Sequence, residues 1–256
     1  MTCSAYDLKE FYRDFKGRVI RSVIRDKILE LWPDSEITNK SIIGYGYSVP
    51  YLPPFMMQED NNRVSAMIPS QMGVHQWPEN DLNVCAIHNE GTLPLETNSV
   101  DMMIMVHALE FLESPQETFE EIWRVLKSTG RLIVIVPNRM GFWARADWSP
   151  FGQGQPYSAS QVEKLLKDSL FVHEKTCNAL FIPAFQKNII IRTAQLFEKV
   201  GRVLYPALGG VHVIEASKQI YATRQKGKGV PAHLETKRAV KAKPVVSPHT
   251  TNRISD

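Results

Sequence analysis

The chain has 256 residues, 43% of them hydrophobic and 22% charged, enough for one large α/β domain with a full core. Its net charge of +3 is unevenly spread: the segment from Ala222 to Asp256 carries eight Lys/Arg against two acids (+6), and the first 221 residues carry 22 basic against 25 acidic side chains (−3). A mildly acidic body argues against a nucleic-acid partner, no apolar run reaches the roughly 20 residues that span a bilayer, and the scattered Cys3, Cys85 and Cys177 rule out a disulfide framework.

Residues 5–31 repeat apolar side chains at three- and four-residue spacing (Leu8, Phe11, Phe15, Val19, Val23, Ile24, Ile28, Leu31), which predicts one or two amphipathic helices. Gly17 is a candidate kink, and Trp32-Pro33 a stop. Residues 1–35 thus form a helical cap, which either covers the sheet's ligand edge or simply packs on the sheet. Asp7, Lys9, Glu10, Arg13 and Asp14 interrupt any leader-like apolar run, so the expected location is the cytoplasm.

Ser41-Ile-Ile-Gly-Tyr-Gly-Tyr-Ser-Val-Pro-Tyr-Leu52 reads as a buried strand running into a glycine turn at Gly44-Tyr45-Gly46. A dinucleotide fingerprint would need a small residue at Val49, so a nicotinamide or flavin site is not expected. Pro50, Pro53 and Pro54 make the next stretch irregular or a helix that starts late. Strands follow at Arg63–Ile68, Asn83–His88 and Ser99–Val106, the last apolar enough to be buried on both faces. Cys85-Ala-Ile-His88 has a ligand-like spacing but no second pair, so no metal is expected. Ser114-Pro-Gln-Glu117 predicts a capping box, Phe119, Ile122, Trp123 and Leu126 the apolar stripe of its helix, and Gly130 its cap. Arg131–Val136 is the fifth strand.

Residues 137–158 form a long segment rich in Gly, Pro and aromatics, read either as a substrate-side lid or as an aromatic-packed structural loop. Ser158 can cap a further helix carried by Val162, Leu165, Leu166 and Leu170. A sixth strand at 171–181, a helix from Ile189 to Leu204 and a seventh strand at Val211–Ser217 complete a domain spanning 36–221. Residues 222–256 turn polar and basic, a composition that predicts disorder.

Strands alternating with helices predict a Rossmann-like, doubly wound, seven-stranded, mostly parallel sheet. Three sets of residues resemble the class I S-adenosylmethionine-dependent methyltransferases of the type 11, or ubiquinone/menaquinone-methyltransferase-like, group: Gly44-Tyr45-Gly46, Leu93-Pro-Leu95 with Ser99-Val-Asp101, and Glu120-Glu-Ile-Trp-Arg-Val-Leu-Lys-Ser-Thr-Gly-Arg-Leu-Ile-Val134. The wider pattern, including His107-Ala-Leu-Glu110 and Pro150-Phe-Gly152, resembles a bacterial branch of that group.

The resemblance implies S-adenosylmethionine as cofactor and a small-molecule or lipid-like methyl acceptor. It implies that Gly44, Tyr45 and Gly46 approach the cofactor's methionine end and that Asn89 or Glu90 reads the adenine. His107 would line the transfer pocket, as a base or as a structural histidine. The family's ribose-binding acid after strand two is missing: Ser70 or Gln71 stands there with a neutral hydrogen bond to offer, and Ile43 replaces the acid usual before the first glycine. A charge-assisted bond lost at the ribose is worth about 1–2 kcal/mol. The alternative is therefore a methyltransferase-fold protein without catalysis, serving in binding or regulation.

Overall fold

The computed structural model describes residues 3–57, 60–184, 197, 198, 200, 201 and 204–219. These lie within one compact unit, Met1–Tyr221. The expected helix from Ile189 to Leu204 falls mostly, and the basic segment 222–256 wholly, outside the described residues.

Seven strands form a single sheet: β1 (Ser41–Gly46), β2 (Arg63–Pro69), β3 (Cys85–His88), β4 (Val100–Val106), β5 (Leu126–Pro137), β6 (Phe171–Ala179) and β7 (Val211–Lys218). Their spatial order is β3-β2-β1-β4-β5-β7-β6. β7 runs antiparallel to both its neighbours, and the other pairings are parallel. The order reverses between β1 and β4, so the crevice at their C-terminal ends is the switch point where open α/β sheets bind ligands.

Both faces of the sheet are covered. Alternate residues of β1 and β4 point opposite ways, so Ile42, Met102 and Ile104 join one core and Ile43, Met103 and Met105 the other. The helices α1 (Ala5–Arg13) and α2 (Phe15–Leu31) seal the first face, α2 through Ile20, Ile24, Ile28 and Leu31. Each such buried side chain stabilises by about 1.5–3 kcal/mol. The second face is sealed by α3 (Pro115–Val125) and α4 (Ala159–Asp168), through Phe119, Ile122, Val162 and Leu166.

Two sequence runs owe their pairing to one clamp. Arg124 on α3 donates to the carbonyls of Leu93 and Leu95 and to the Glu121 carboxylate, and Glu121 accepts from the Leu93 amide. Asp101 ties three neighbouring strands together: it accepts from the Ser41 amide at 3.0 Å and from Lys127 Nζ at 2.7 Å.

Several local expectations change. The helix break is at Asp14, not Gly17: Asp14 has an extended backbone, its amide closes α1 and its carboxylate caps α2. Gly17 lies inside α2, where a Cβ would sit 1.9 Å from the Phe11 carbonyl oxygen, so glycine is needed for close helix approach. Gly44 and Gly46 lie within β1, Gly46 as its last residue, rather than in a turn beyond it. The prolines after β1 give 3₁₀ turns (Val49–Tyr51 and Pro53–Met56) and no α-helix. No capping box forms at Ser114, because a carboxylate from elsewhere in the chain takes the amide that Glu117 would have served. Gly130 caps nothing: α3 ends at Val125 and β5 begins at once, with Gly130 inside it.

Candidate active site

The C-terminal edge of β1 and β4 is built by close backbone approach. Gly46 has φ of 74° and pairs with Val106, and a Cβ there would lie 2.4 Å from the Val106 carbonyl oxygen. Any side chain at 46 disrupts the β1–β4 junction itself. A Cβ on Gly44 would meet Ser48 Oγ at 1.9 Å, so that space belongs to the buried Ser48. Tyr45 points to the other side of the sheet, its ring 4.8 Å from that of His88, and burial pushes its phenol well above the usual range. It therefore offers a ligand backbone only.

Just past the end of β4 comes His107, a non-glycine residue at φ of 49°. This uncommon left-handed conformation turns a 1%-exposed imidazole inward. His107 Nε2 lies 2.7 Å from the Tyr12 hydroxyl, which lies 2.8 Å from the Tyr51 hydroxyl. His107 Nδ1 lies 3.4 Å from Glu110 Oε1. Tyr12 stacks on Tyr47, and the Phe151 ring is 4.9 Å from His107. Burial first, and the neighbouring phenol of Tyr51 second, push the Tyr12 hydroxyl well up, so it stays protonated.

These partners come from three places in the chain. Tyr12 belongs to α1, which thus packs against the C-terminal end of β4. Tyr51 belongs to the 3₁₀ turn that follows β1. Phe151 belongs to the 137–158 segment, which is firmly tied down: Trp143 Nε1 donates to the Ile182 carbonyl, Asn138 Nδ2 donates to the Ala207 and Gly209 carbonyls, and the Gln155 amide donates to the Glu110 carbonyl.

The remaining expected residues lie along the β2–β3 edge. Ser70 and Gln71 are exposed in a 3₁₀ turn after β2. Ser70 Oγ donates to Asn89 Oδ1 at 3.3 Å. Glu90 is engaged elsewhere: its carboxylate accepts from the Ser114 amide at 2.8 Å and so caps α3. Asn89, rather than Glu90, is the residue of the pair left at the edge. The structure thus groups Gly46 with His107, and Ser70 with Asn89. Sequence reasoning assigned no role to Tyr12, Tyr51 and Phe151. It quoted Glu110 without a role, although its three-residue spacing from His107 was the available signal.

The C-terminal edge holds buried polar atoms without a hydrogen-bond partner among the described residues: Ser48 Oγ, His107 Nδ1 and both oxygens of Glu110. Buried polar groups are normally paired. A hydroxyl, an imidazole and a carboxylate make a donor and acceptor set that fits the amino, carboxylate and sulfonium groups of S-adenosylmethionine. A cavity of about 690 Å³ lies at the opposite, N-terminal edge, lined in part by Arg63, Leu95 and Glu96, and is remote from His107.

Strand order, the reversed β7 and a ligand edge at β1 and β4 are together the class I methyltransferase architecture, and the chain has that fold. Residues 46–134 match the family model described as "Methyltransferase domain". Similar solved structures include an S-adenosylmethionine-dependent methyltransferase from Thermotoga maritima, described as a possible histamine N-methyltransferase (16% identity, TM-score 0.58, covering 84% of this chain and 96% of that one). Another comes from Aquifex aeolicus (17%, 0.57, 84% and 98%) and a third from Mesorhizobium loti (12%, 0.53, 75% and 96%). At these identities the likeness is one of fold. No curated protein matches the chain.

Proposed function

We propose that the protein transfers a methyl group from S-adenosylmethionine to a small-molecule or lipid-like acceptor, with α1 and the 137–158 segment closing over the acceptor. The observation that carries this is the buried His107, aimed at the β4 edge beside Gly46 and flanked by unpartnered polar atoms. Gly44, Tyr45 and Gly46 would hold the cofactor's methionine end through backbone, and Ser70, Gln71 and Asn89 its ribose and adenine. The cofactor supplies an electrophilic methyl group on a sulfonium. The protein's part is to position the acceptor, exclude water and take up a proton. The mildly acidic body favours a small acceptor over a nucleic acid, and no helix among the described residues is long and apolar enough to cross a membrane. A cytoplasmic location accords with this reading.

Two observations favour a second reading, a methyltransferase fold kept for binding without catalysis. The edge after β2 is neutral, with Ser70 hydrogen-bonded to Asn89 where a ribose-binding acid would be expected, and Ser48 fills the space beside Gly44. Calorimetric titration of the full chain with S-adenosylmethionine separates the two. Micromolar binding is expected. No heat up to millimolar cofactor, from protein shown to be folded, overturns the methyl-transfer reading.

A further inference from the structure

We propose that the acceptor is a hydroxyl compound, an alcohol or phenol, whose proton is taken by His107 Nε2, and that Glu110 is the positioning residue holding His107 in the tautomer this requires. The proposal rests on the methyl-transfer reading above and names its substrate class.

The argument starts from Glu110. Its carboxylate is 4% exposed, and neither oxygen has a hydrogen-bond partner among the described residues. A buried, uncompensated carboxylate is costly. The other titratable groups that feel it, Cys3, Tyr12 and Tyr157, are a thiol and two phenols kept protonated chiefly by burial, with Glu110 adding to it. The proton donor within reach is the imidazole, with Nδ1 3.4 Å from Glu110 Oε1. A proton on Nδ1 leaves the Nε2 lone pair facing the edge of the sheet.

What Nε2 faces is a hydroxyl. The Tyr12 oxygen lies 2.7 Å away and, in this tautomer, is the donor; Tyr47 and Tyr51 pack on its ring, and Phe151 packs on the imidazole. The protein has thus built a place for an aromatic alcohol and filled it with its own. When α1 lifts, an acceptor hydroxyl takes the place of the Tyr12 oxygen.

The chemistry selects oxygen over nitrogen. A neutral amine carries a nucleophilic lone pair and needs no base. A hydroxyl becomes a good nucleophile only as it loses its proton. The acceptor oxygen forms its bond to the methyl carbon while its proton passes to Nε2. The methyl–sulfur bonding pair stays on sulfur, and Glu110 stabilises the imidazolium that results. The products are a methyl ether and a thioether, with no oxidant or reductant required.

Two measurements on the full chain test this. The first is ¹⁵N spectroscopy of histidine-labelled protein at neutral pH, with His107 assigned by its loss in His107→Gln. The proton is expected on Nδ1, and Glu110→Gln should shift the population toward the other tautomer. A proton on Nε2 in the wild type, or no change in Glu110→Gln, overturns the positioning role. If Glu110→Gln does not fold, Tyr12→Phe keeps the ring and removes the hydroxyl. The Nε2 resonance must then move toward that of an unbonded nitrogen, and a static resonance overturns the proposal. The second measurement offers the protein S-adenosylmethionine with matched alcohol–amine and phenol–aniline pairs. Methyl ethers are expected, with kcat in Glu110→Gln lowered about 100-fold and KM within about threefold. Methylation of the amines alone overturns the hydroxyl assignment while methyl transfer stands. No cofactor heat removes the methyl-transfer reading itself, and the tautomer result still decides the role of Glu110.

Discussion

His212 and Ser70 show how single side chains set what can be measured. His212 on β7 is 6% exposed, with Nδ1 2.6 Å from Asn178 Oδ1, and burial pushes its imidazole down to about 4. As pH falls below the ordinary histidine value of about 6.5, the unfolded chain takes up a proton that the folded chain refuses until about pH 4. Stability present at neutral pH is therefore lost across that window, by on the order of 2–3 kcal/mol. Urea unfolding of wild type and His212→Asn at about pH 7 and pH 4.5 should show a smaller acid loss in the variant. At the β2 edge, Ser70→Asp installs the missing charge beside Asn89. It is expected to tighten S-adenosylmethionine binding by about tenfold in calorimetry, the value of one charge-assisted bond. An unchanged affinity would mean that no ribose sits there.

Between α1 and α2, ordinary propensity and packing give opposite signs. Gly→Ala inside a helix usually stabilises by up to about 1 kcal/mol. Gly17→Ala is expected instead to destabilise by about 2–4 kcal/mol, because its Cβ meets Phe11 backbone at 1.9 Å. Thermal unfolding reads the sign directly. The same element shows where sequence reading stops. The three- and four-residue spacing located both helices, but a shared residue that ends one helix and begins the next leaves no gap in the apolar pattern. Asp14 was therefore invisible, and Gly17 drew attention by composition alone. The capping box at Ser114 failed for a similar reason, since Glu90 lies 24 positions away in sequence. Local signatures cannot register a competitor that only the folded sheet brings near.

For the molecule as a whole, the succession of strands along the chain was legible because buried parallel strands read as apolar runs and their connections carry turn residues. The candidate site was legible in part. Gly46, His107, Ser70 and Asn89 do lie along the C-terminal edge, because the fold puts the end of each strand there. The Tyr12–His107–Tyr51 cluster joins residues 39 and 95 positions apart, which no periodicity can announce. If S-adenosylmethionine binds only the folded chain, cofactor at one hundred times its dissociation constant should add about 2.7 kcal/mol and raise the melting temperature by several degrees. Differential scanning fluorimetry against S-adenosylmethionine and, as a control, adenosine checks this.

Tyr12 has one more consequence, and it concerns time. Its ring sits between Tyr47, Tyr51 and His107; under the proposal above, the acceptor and this side chain contend for one place, and the side chain is covalently attached. A tethered competitor cannot be outrun by concentration. In stopped-flow mixing with a phenolic acceptor, the observed rate should rise and then level off at the frequency with which α1 releases its tyrosine. Tyr12→Phe, which gives up both hydroxyl contacts, should lift that ceiling by about tenfold, corresponding to the loss of one or two buried hydrogen bonds.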